Sequence, residues 1–72
     1  MKPIDYKTEA IMIMLTSTDK HGKIDELIEK AKNDEDLTIE ERMEALENIK
    51  YEVKDISRIA LKVAMEEISN LK

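Results

Sequence analysis

Apolar and small residues recur every three or four positions along most of this chain, and charged residues fill the positions between them. The first such series comprises Ala10, Met14, Ser17, His21, Ile24, Ile28 and Ala31. A period of 3.5 residues places a series of this kind on one face of an α-helix. Because the series keeps its phase through Gly22, it predicts one long helix from about Ile4 to Asn33.

An alternative interpretation breaks this first helix between Thr16 and Gly22. The segment reads Thr-Ser-Thr-Asp before Lys20, and these residue types favour helix N-caps. Glycine also costs about 1 kcal/mol in a helix interior. A break here would let the chain pack as a monomeric three-helix bundle. The unbroken phase of the apolar series favours the continuous helix.

A second helix is predicted after a polar interruption at residues 33–37. Thr38 and Glu41 have the spacing of a capping box, which marks a helix start. The apolar series then continues through Leu46, Ile49, Val53, Ile56, Ala60 and Val63, and a second row comprises Leu61, Ala64, Ile68 and Leu71. These rows predict a helix from about Ile39 to Asn70.

Two long helices joined by a short loop predict an all-α antiparallel hairpin that forms a single domain over residues 1–72. Two blocks that are apolar on nearly every face, residues 10–15 and 56–65, then lie side by side at the open end. A hairpin has too little surface to bury them, so we expect a homo-oligomeric bundle, with a dimer favoured. The expected interface residues are Ala10, Ile11, Met14, Leu15, Ile56, Ile59, Ala60 and Val63.

Composition narrows the functional classes. The chain has 72 residues, one histidine and no cysteine, which excludes disulfides and a cysteine or histidine-cluster zinc site and agrees with a reducing compartment. The apolar run at residues 10–15 is too short for a membrane span or a signal peptide. A net charge of −5 with only two aromatic residues argues against nucleic-acid binding. We expect a cytoplasmic protein without metal or cofactor.

Charge is unevenly distributed, and two clusters are candidate binding sites. The acidic pole, at the turn of the predicted hairpin, comprises Asp34, Glu35, Asp36, Glu40, Glu41 and Glu44. Such a pole can enter a basic groove of a partner protein, although most acidic runs are solvated loops. The basic belt, at mid-length, comprises Lys20, His21, Lys23, Lys50, Tyr51, Lys54 and Arg58. Converging cations beside a tyrosine bind phosphate-bearing small molecules, but lysine stems also commonly cover apolar seams.

No residue pattern typical of an enzyme is present. Ser17 and His21 lie four apart on one helix face, but no third group is placed to orient the histidine. We therefore expect a non-catalytic protein that binds and modulates or inhibits a larger protein partner, in the manner of accessory proteins of phages and mobile elements. Two alternatives are an oligomer that sequesters a small anionic ligand such as a nucleotide, and a structural bundle subunit of a larger assembly.

Overall fold

The computed structural model describes residues 5–71, which form four α-helices and no strand. The helices are α1 (Tyr6–Thr16), α2 (Lys20–Lys32), α3 (Ile39–Val53) and α4 (Arg58–Asn70). The all-α prediction is confirmed. The two long helices of the predicted hairpin are not found, because each one is divided near its middle; the predicted start of the first helix at Ile4 lies outside the described residues.

The first division lies at residues 17–19, within the segment that the alternative interpretation identified. Ser17 and Asp19 leave the helical region, with ψ angles of 139° and 71°, and the Asp19 carboxylate accepts a hydrogen bond from the Gly22 amide (3.1 Å). A side chain on Gly22 would overlap that carboxylate. Gly22 therefore makes room for the N-cap of α2 and does not itself break a helix.

The turn between α2 and α3 follows the prediction closely. The Glu41 amide donates to Thr38 Oγ1 (3.1 Å) and the Thr38 amide donates to Glu41 Oε1 (2.8 Å), so the capping box is confirmed. Arg42 Nε also donates to the Asp34 carbonyl oxygen (2.8 Å) and holds the loop against the first turn of α3. Because capping depends on neighbouring residues alone, the sequence was sufficient to predict this helix start.

The second division, at residues 54–57, was not predicted. Lys54 (φ 58°, ψ −103°) and Ser57 (φ 54°, ψ 29°) both have positive φ angles although neither is glycine. Such conformations cost about 1–3 kcal/mol each and persist only where the surrounding packing enforces them. Here the compensation is the burial of the inner row of α4, Leu61, Ala64 and Ile68, against α2 and α3.

The four helices run alternately up and down. The Tyr6 hydroxyl donates to Asp34 Oδ2 (2.6 Å), so α1 begins beside the end of α2 and runs back along it. Lys32 Nζ pairs with Glu67 (2.7 Å), so α4 ends near that same end of the molecule. Helices α2 and α3 contact each other and both outer helices, whereas α1 and α4 make no contact with each other in residues 5–71.

Because each predicted helix is folded back on itself, the molecule is shorter than the predicted hairpin and the single chain forms a core of its own. The longest dimension is 35 Å, against about 45 Å for a hairpin of 30-residue helices. The radius of gyration, 11.3 Å, equals what a globular domain of this length requires, about 11 Å. The buried core comprises Tyr6, Ala10, Ile24, Leu27, Ile28, Ala31, Ala45, Leu46, Ile49, Val53, Leu61, Ala64 and Ile68.

Candidate functional site

The residues expected at an oligomer interface are distributed over three environments. Ala10, on α1, is buried in the core of the single chain. Four are partly buried: Ile11, Met14, Ile56 and Ala60. Three are exposed on α1 or α4: Leu15, Ile59 and Val63. Because α1 and α4 do not touch, these three do not form a contact pair of the kind that the straight hairpin predicted.

Two of the most exposed apolar residues lie toward the end of the molecule opposite the acidic pole, whereas Leu71, at the end of α4, lies toward the pole. Leu15 (76% exposed) belongs to the last turn of α1, which begins beside Asp34 and runs away from it. Ile59 (81% exposed) belongs to the first turn of α4, which follows the 54–57 turn. Met12, also exposed on α1, was absent from the predicted interface. The end of the molecule opposite the acidic pole thus carries Leu15 and Ile59 as exposed apolar residues.

A groove of about 1140 Å³ runs along α4, from the 54–57 turn to the last turn of the helix. Its walls come from the first turns of α2, the end of α3, the 54–57 turn and one side of α4. Four cations line it: Lys50, Lys54, Arg58 and Lys62. His21 lines it too, as do the carboxylates of Asp25, Asp55 and Glu66, and Ile59 and Met65 provide apolar surface. The groove is therefore amphipathic, with a modest excess of positive charge.

The structure brings together part of the predicted basic belt. His21, Lys50, Lys54 and Arg58 line the groove, whereas Lys20, Lys23 and Tyr51 do not. Lys20 Nζ donates to the Ser17 carbonyl oxygen (3.1 Å) and so closes the α1–α2 turn, and Tyr51 projects from α3 into solvent. Lys62 was missed because its approach to the belt depends on the unpredicted turn at 54–57.

Cations in the groove are available to a ligand or partner. Both ion pairs formed among residues 5–71 use Lys32, with Glu29 (3.2 Å) and Glu67 (2.7 Å), and those carboxylates raise the pKa of Lys32. Neither ion pair uses Lys50, Lys54, Arg58 or Lys62.

The Ser57 hydroxyl, at the N-cap of α4, donates to Asp25 Oδ1 (2.8 Å) and makes no hydrogen bond to the first turn of α4.

The acidic pole is partly engaged within the chain. The Tyr6 hydroxyl donates a hydrogen bond to Asp34 and lowers the pKa of that carboxyl. Burial is the main cause that raises the pKa of Tyr6, and the hydrogen bond to Asp34 raises it further. Glu41 is held by the capping box. The other four predicted members, Glu35, Asp36, Glu40 and Glu44, are exposed. The pole is thus the cap of the α2–α3 turn as well as a charged surface.

Two further properties concern the described part of the chain. Residues 5–71 contain no group of three acidic or histidine side chains close enough to hold a metal ion. None of the four helices has the length and apolar character required to cross a bilayer.

No protein-family model matches the chain, and neither a curated protein nor a solved structure is significantly similar to it.

Proposed function

We propose that this chain is a non-catalytic, cytoplasmic binding protein that modulates or inhibits a larger protein partner. The observation that carries the proposal is Ile59, the most exposed large apolar side chain among residues 5–71, which stands beside the amphipathic groove. Fully burying an isoleucine is worth about 1.5–3 kcal/mol. Apolar side chains that fill or border a concave surface are typical anchors of protein interfaces.

The surface that we assign to the partner is named the α4 surface and comprises Ile59, Val63, Lys54, Arg58 and Lys62. Val63 lies one helical turn from Ile59 on the same side of α4 and borders a second hollow, of about 320 Å³, between α2 and α4. Apolar anchors flanked by cations fit an amphipathic segment that carries carboxylates beside its apolar residues. We therefore expect the partner to present an acidic amphipathic helix.

The acidic pole is a weaker candidate for the same role. Asp34 and Glu41 already accept hydrogen bonds from Tyr6 and Thr38, and a partner would have to compete with those bonds. The pole itself contains no exposed large apolar side chain, and Leu71, at the end of α4, is the exposed apolar residue that lies toward this end of the molecule. Surface charge without an apolar anchor contributes more to the rate of association than to affinity.

The proposal that this chain inhibits its partner, and does not merely bind it, rests on the small size and acidity of the chain alone.

Site-specific photo-crosslinking in the cells of origin tests the proposal. A photoreactive residue replaces Ile59 in one variant and Leu71 in the control; both side chains are exposed and apolar, but only Ile59 borders the groove. We expect one discrete crosslinked protein from position 59, lost when Val63→Asp is added, and none from position 71. Equal crosslinking from both positions, or none from position 59, would refute the assignment.

A second candidate function is the sequestration of a small anionic ligand. It is favoured by one observation, the convergence of Lys50, Lys54 and Arg58 with His21 on a single groove. Three carboxylates in the same groove oppose it, because they cancel much of the positive charge. A phosphate-bearing ligand would therefore have to bind at the Lys54–Arg58 end of the groove, where charge-assisted hydrogen bonds are available.

Calorimetry with ATP as the probe separates this candidate from protein binding. If the groove holds phosphate, Lys50→Glu combined with Arg58→Glu should abolish ATP binding, because both changes reverse charges that line it. Lys7→Glu combined with Lys23→Glu is the matched control, since both lysines are exposed and lie outside the groove. Absence of heat from the wild-type chain at millimolar ATP would dismiss the ligand and leave the protein partner as the sole candidate.

A further inference from the structure

Helix α4 carries two apolar rows, and the fold buries them to different extents. The inner row, defined above, faces the core. The outer row comprises Ile56, just before α4, together with Ala60 and Val63. Ile56 and Ala60 are partly buried and pack against the core, whereas Val63 is 47% exposed. The outer row is therefore only partly covered by its own chain.

The outer row is in phase with the core row of α3. Leu46, Ile49 and Val53 face the core on α3, and the spacings of three and four continue without a slip into the outer row. If α3 and α4 formed one straight helix, both sets would lie on a single face. In the folded-back chain the turn at 54–57 places the outer row at the edge of the core, and the inner row takes the buried position. The sequence thus carries the apolar pattern of a longer helix than the fold displays.

The turn between α3 and α4 is strained in a way that straightening would relieve. Lys54 and Ser57 both have positive φ angles, and a continuous helix would return both to φ near −63°. Residues 54–57 read Lys-Asp-Ile-Ser, with no proline or glycine to prevent a helix. The turn is therefore a hinge whose alternative conformation is available to these residues.

We propose that α3 and α4 straighten into one helix over residues 39–70 and exchange α4 between two copies of this chain. The inner row of each α4 would occupy the same site on the partner copy's α2 and α3 that it occupies here on its own. The partner in the exchange is a second copy of this chain, because an identical chain offers α4 the same contacts, including the Lys32–Glu67 ion pair. The Ile56 residues of the two straight helices would lie where the helices meet at the hinge.

This inference shares the α4 surface with the proposed function but does not rest on it. Exchange would keep Val63 in the surroundings that it has here, because α4 would occupy an equivalent site on the second copy, and the new contacts would form at the hinge. The experiments below use the purified full-length chain alone. Their failure would dismiss exchange and leave partner binding untouched, and failure of the crosslinking experiment would leave exchange untouched.

Paired hinge variants shift the equilibrium in opposite directions. Glycine adopts positive φ without strain and weakens a helix interior, so Lys54→Gly with Ser57→Gly should favour the folded-back monomer. Alanine is strained at positive φ and strengthens a helix, so Lys54→Ala with Ser57→Ala should favour the dimer. We expect the dimer dissociation constant from sedimentation equilibrium to rise at least tenfold in the glycine pair and fall at least tenfold in the alanine pair. Equal constants, or monomers throughout, would overturn the proposal.

A distance measurement distinguishes exchange from association of folded-back chains. The chain has no cysteine, so Glu44→Cys with Glu66→Cys gives two unique spin-label sites, both at exposed positions. They lie nearly equidistant from the hinge, so the folded-back chain holds them side by side on helices with axes about 8–10 Å apart. A straight helix separates them by about 33 Å. Labelled chain is refolded with a tenfold excess of unlabelled chain, so that only distances within one copy are read.

We expect the alanine hinge pair to show the long separation in its dimer and the glycine hinge pair to show the short one. Circular dichroism verifies that both pairs remain helical before the comparison is made. A dimer that retains the short separation would be an association of folded-back subunits and would overturn the exchange.

Discussion

Replacing Tyr6 with alanine should lower the free energy of unfolding by about 3–5 kcal/mol, the usual cost of truncating a buried aromatic side chain. Tyr6, the first residue of α1, is 4% exposed and belongs to the core, and it donates the hydrogen bond to Asp34 that fixes the start of α1 against the end of α2. A domain of this size has roughly 5 kcal/mol of stability in total. The variant should therefore lose the docked position of α1, and most molecules should be unfolded or partly open at 37 °C.

Urea unfolding followed by circular dichroism measures this effect. Tyr6→Phe is the matched control, because it retains the ring and removes only the hydroxyl, and it should lose much less stability than Tyr6→Ala. If the two variants lost the same amount, ring burial would not be what holds α1 in place.

The same residue predicts a loss of stability at alkaline pH. Burial, together with the hydrogen bond to Asp34, raises the pKa of Tyr6 above its unfolded value near 10. A group with a raised folded pKa contributes stability that is fully present below the unfolded pKa and is lost as the pH rises toward the folded pKa. Wild-type stability should therefore decline above about pH 10, and this part of the decline should be absent from Tyr6→Phe.

Replacing Ile59 with aspartate should weaken partner binding about a hundredfold. The loss combines the burial of an isoleucine with the cost of placing an unpaired charge in the interface, and each 1.4 kcal/mol corresponds to a factor of ten. Ile59 is almost fully solvated in the free chain, so the substitution should leave its unfolding midpoint within experimental error. Biolayer interferometry with the crosslinked partner measures the affinity.

Leu71→Asp is the control for this substitution. It places the same charge on the opposite end of α4, at a residue that is 60% exposed and outside the groove. Its affinity should equal that of the wild-type chain. Equal losses from Ile59→Asp and Leu71→Asp would mean that net charge, and not the α4 surface, governs binding.

Local signals in the sequence were sufficient for part of this fold. The capping box of Thr38 and Glu41 fixes the start of α3 through neighbouring residues, and the apolar series correctly identifies Ile24, Ile28 and Leu46 as core. The break after Thr16 was visible as a run of N-capping residues. Phase continuity argued against it, but a chain that folds back can keep the same row directed at the core on both sides of a turn.

The turn at 54–57 could not be predicted from the same signals. Its positive φ angles fall on Lys54 and Ser57, and neither residue type favours that conformation. The turn exists because α4 gains burial by folding back, and that gain depends on contacts with α2 that are remote in sequence. Periodicity shows which positions are apolar but not which of them face inward. The exposure of Ile59 and the grouping of Lys50 with Lys62 could therefore be seen only in the structure.

Native mass spectrometry of the chain isolated from its own cells tests the binding proposal most directly. We predict a species heavier than the chain, or than its dimer, by the mass of another polypeptide, and we predict that this species disappears with Ile59→Asp and persists with Leu71→Asp. The account would be contradicted if the wild-type chain carried only an added mass of a few hundred daltons. It would also be contradicted if the wild-type chain and both variants carried no added mass.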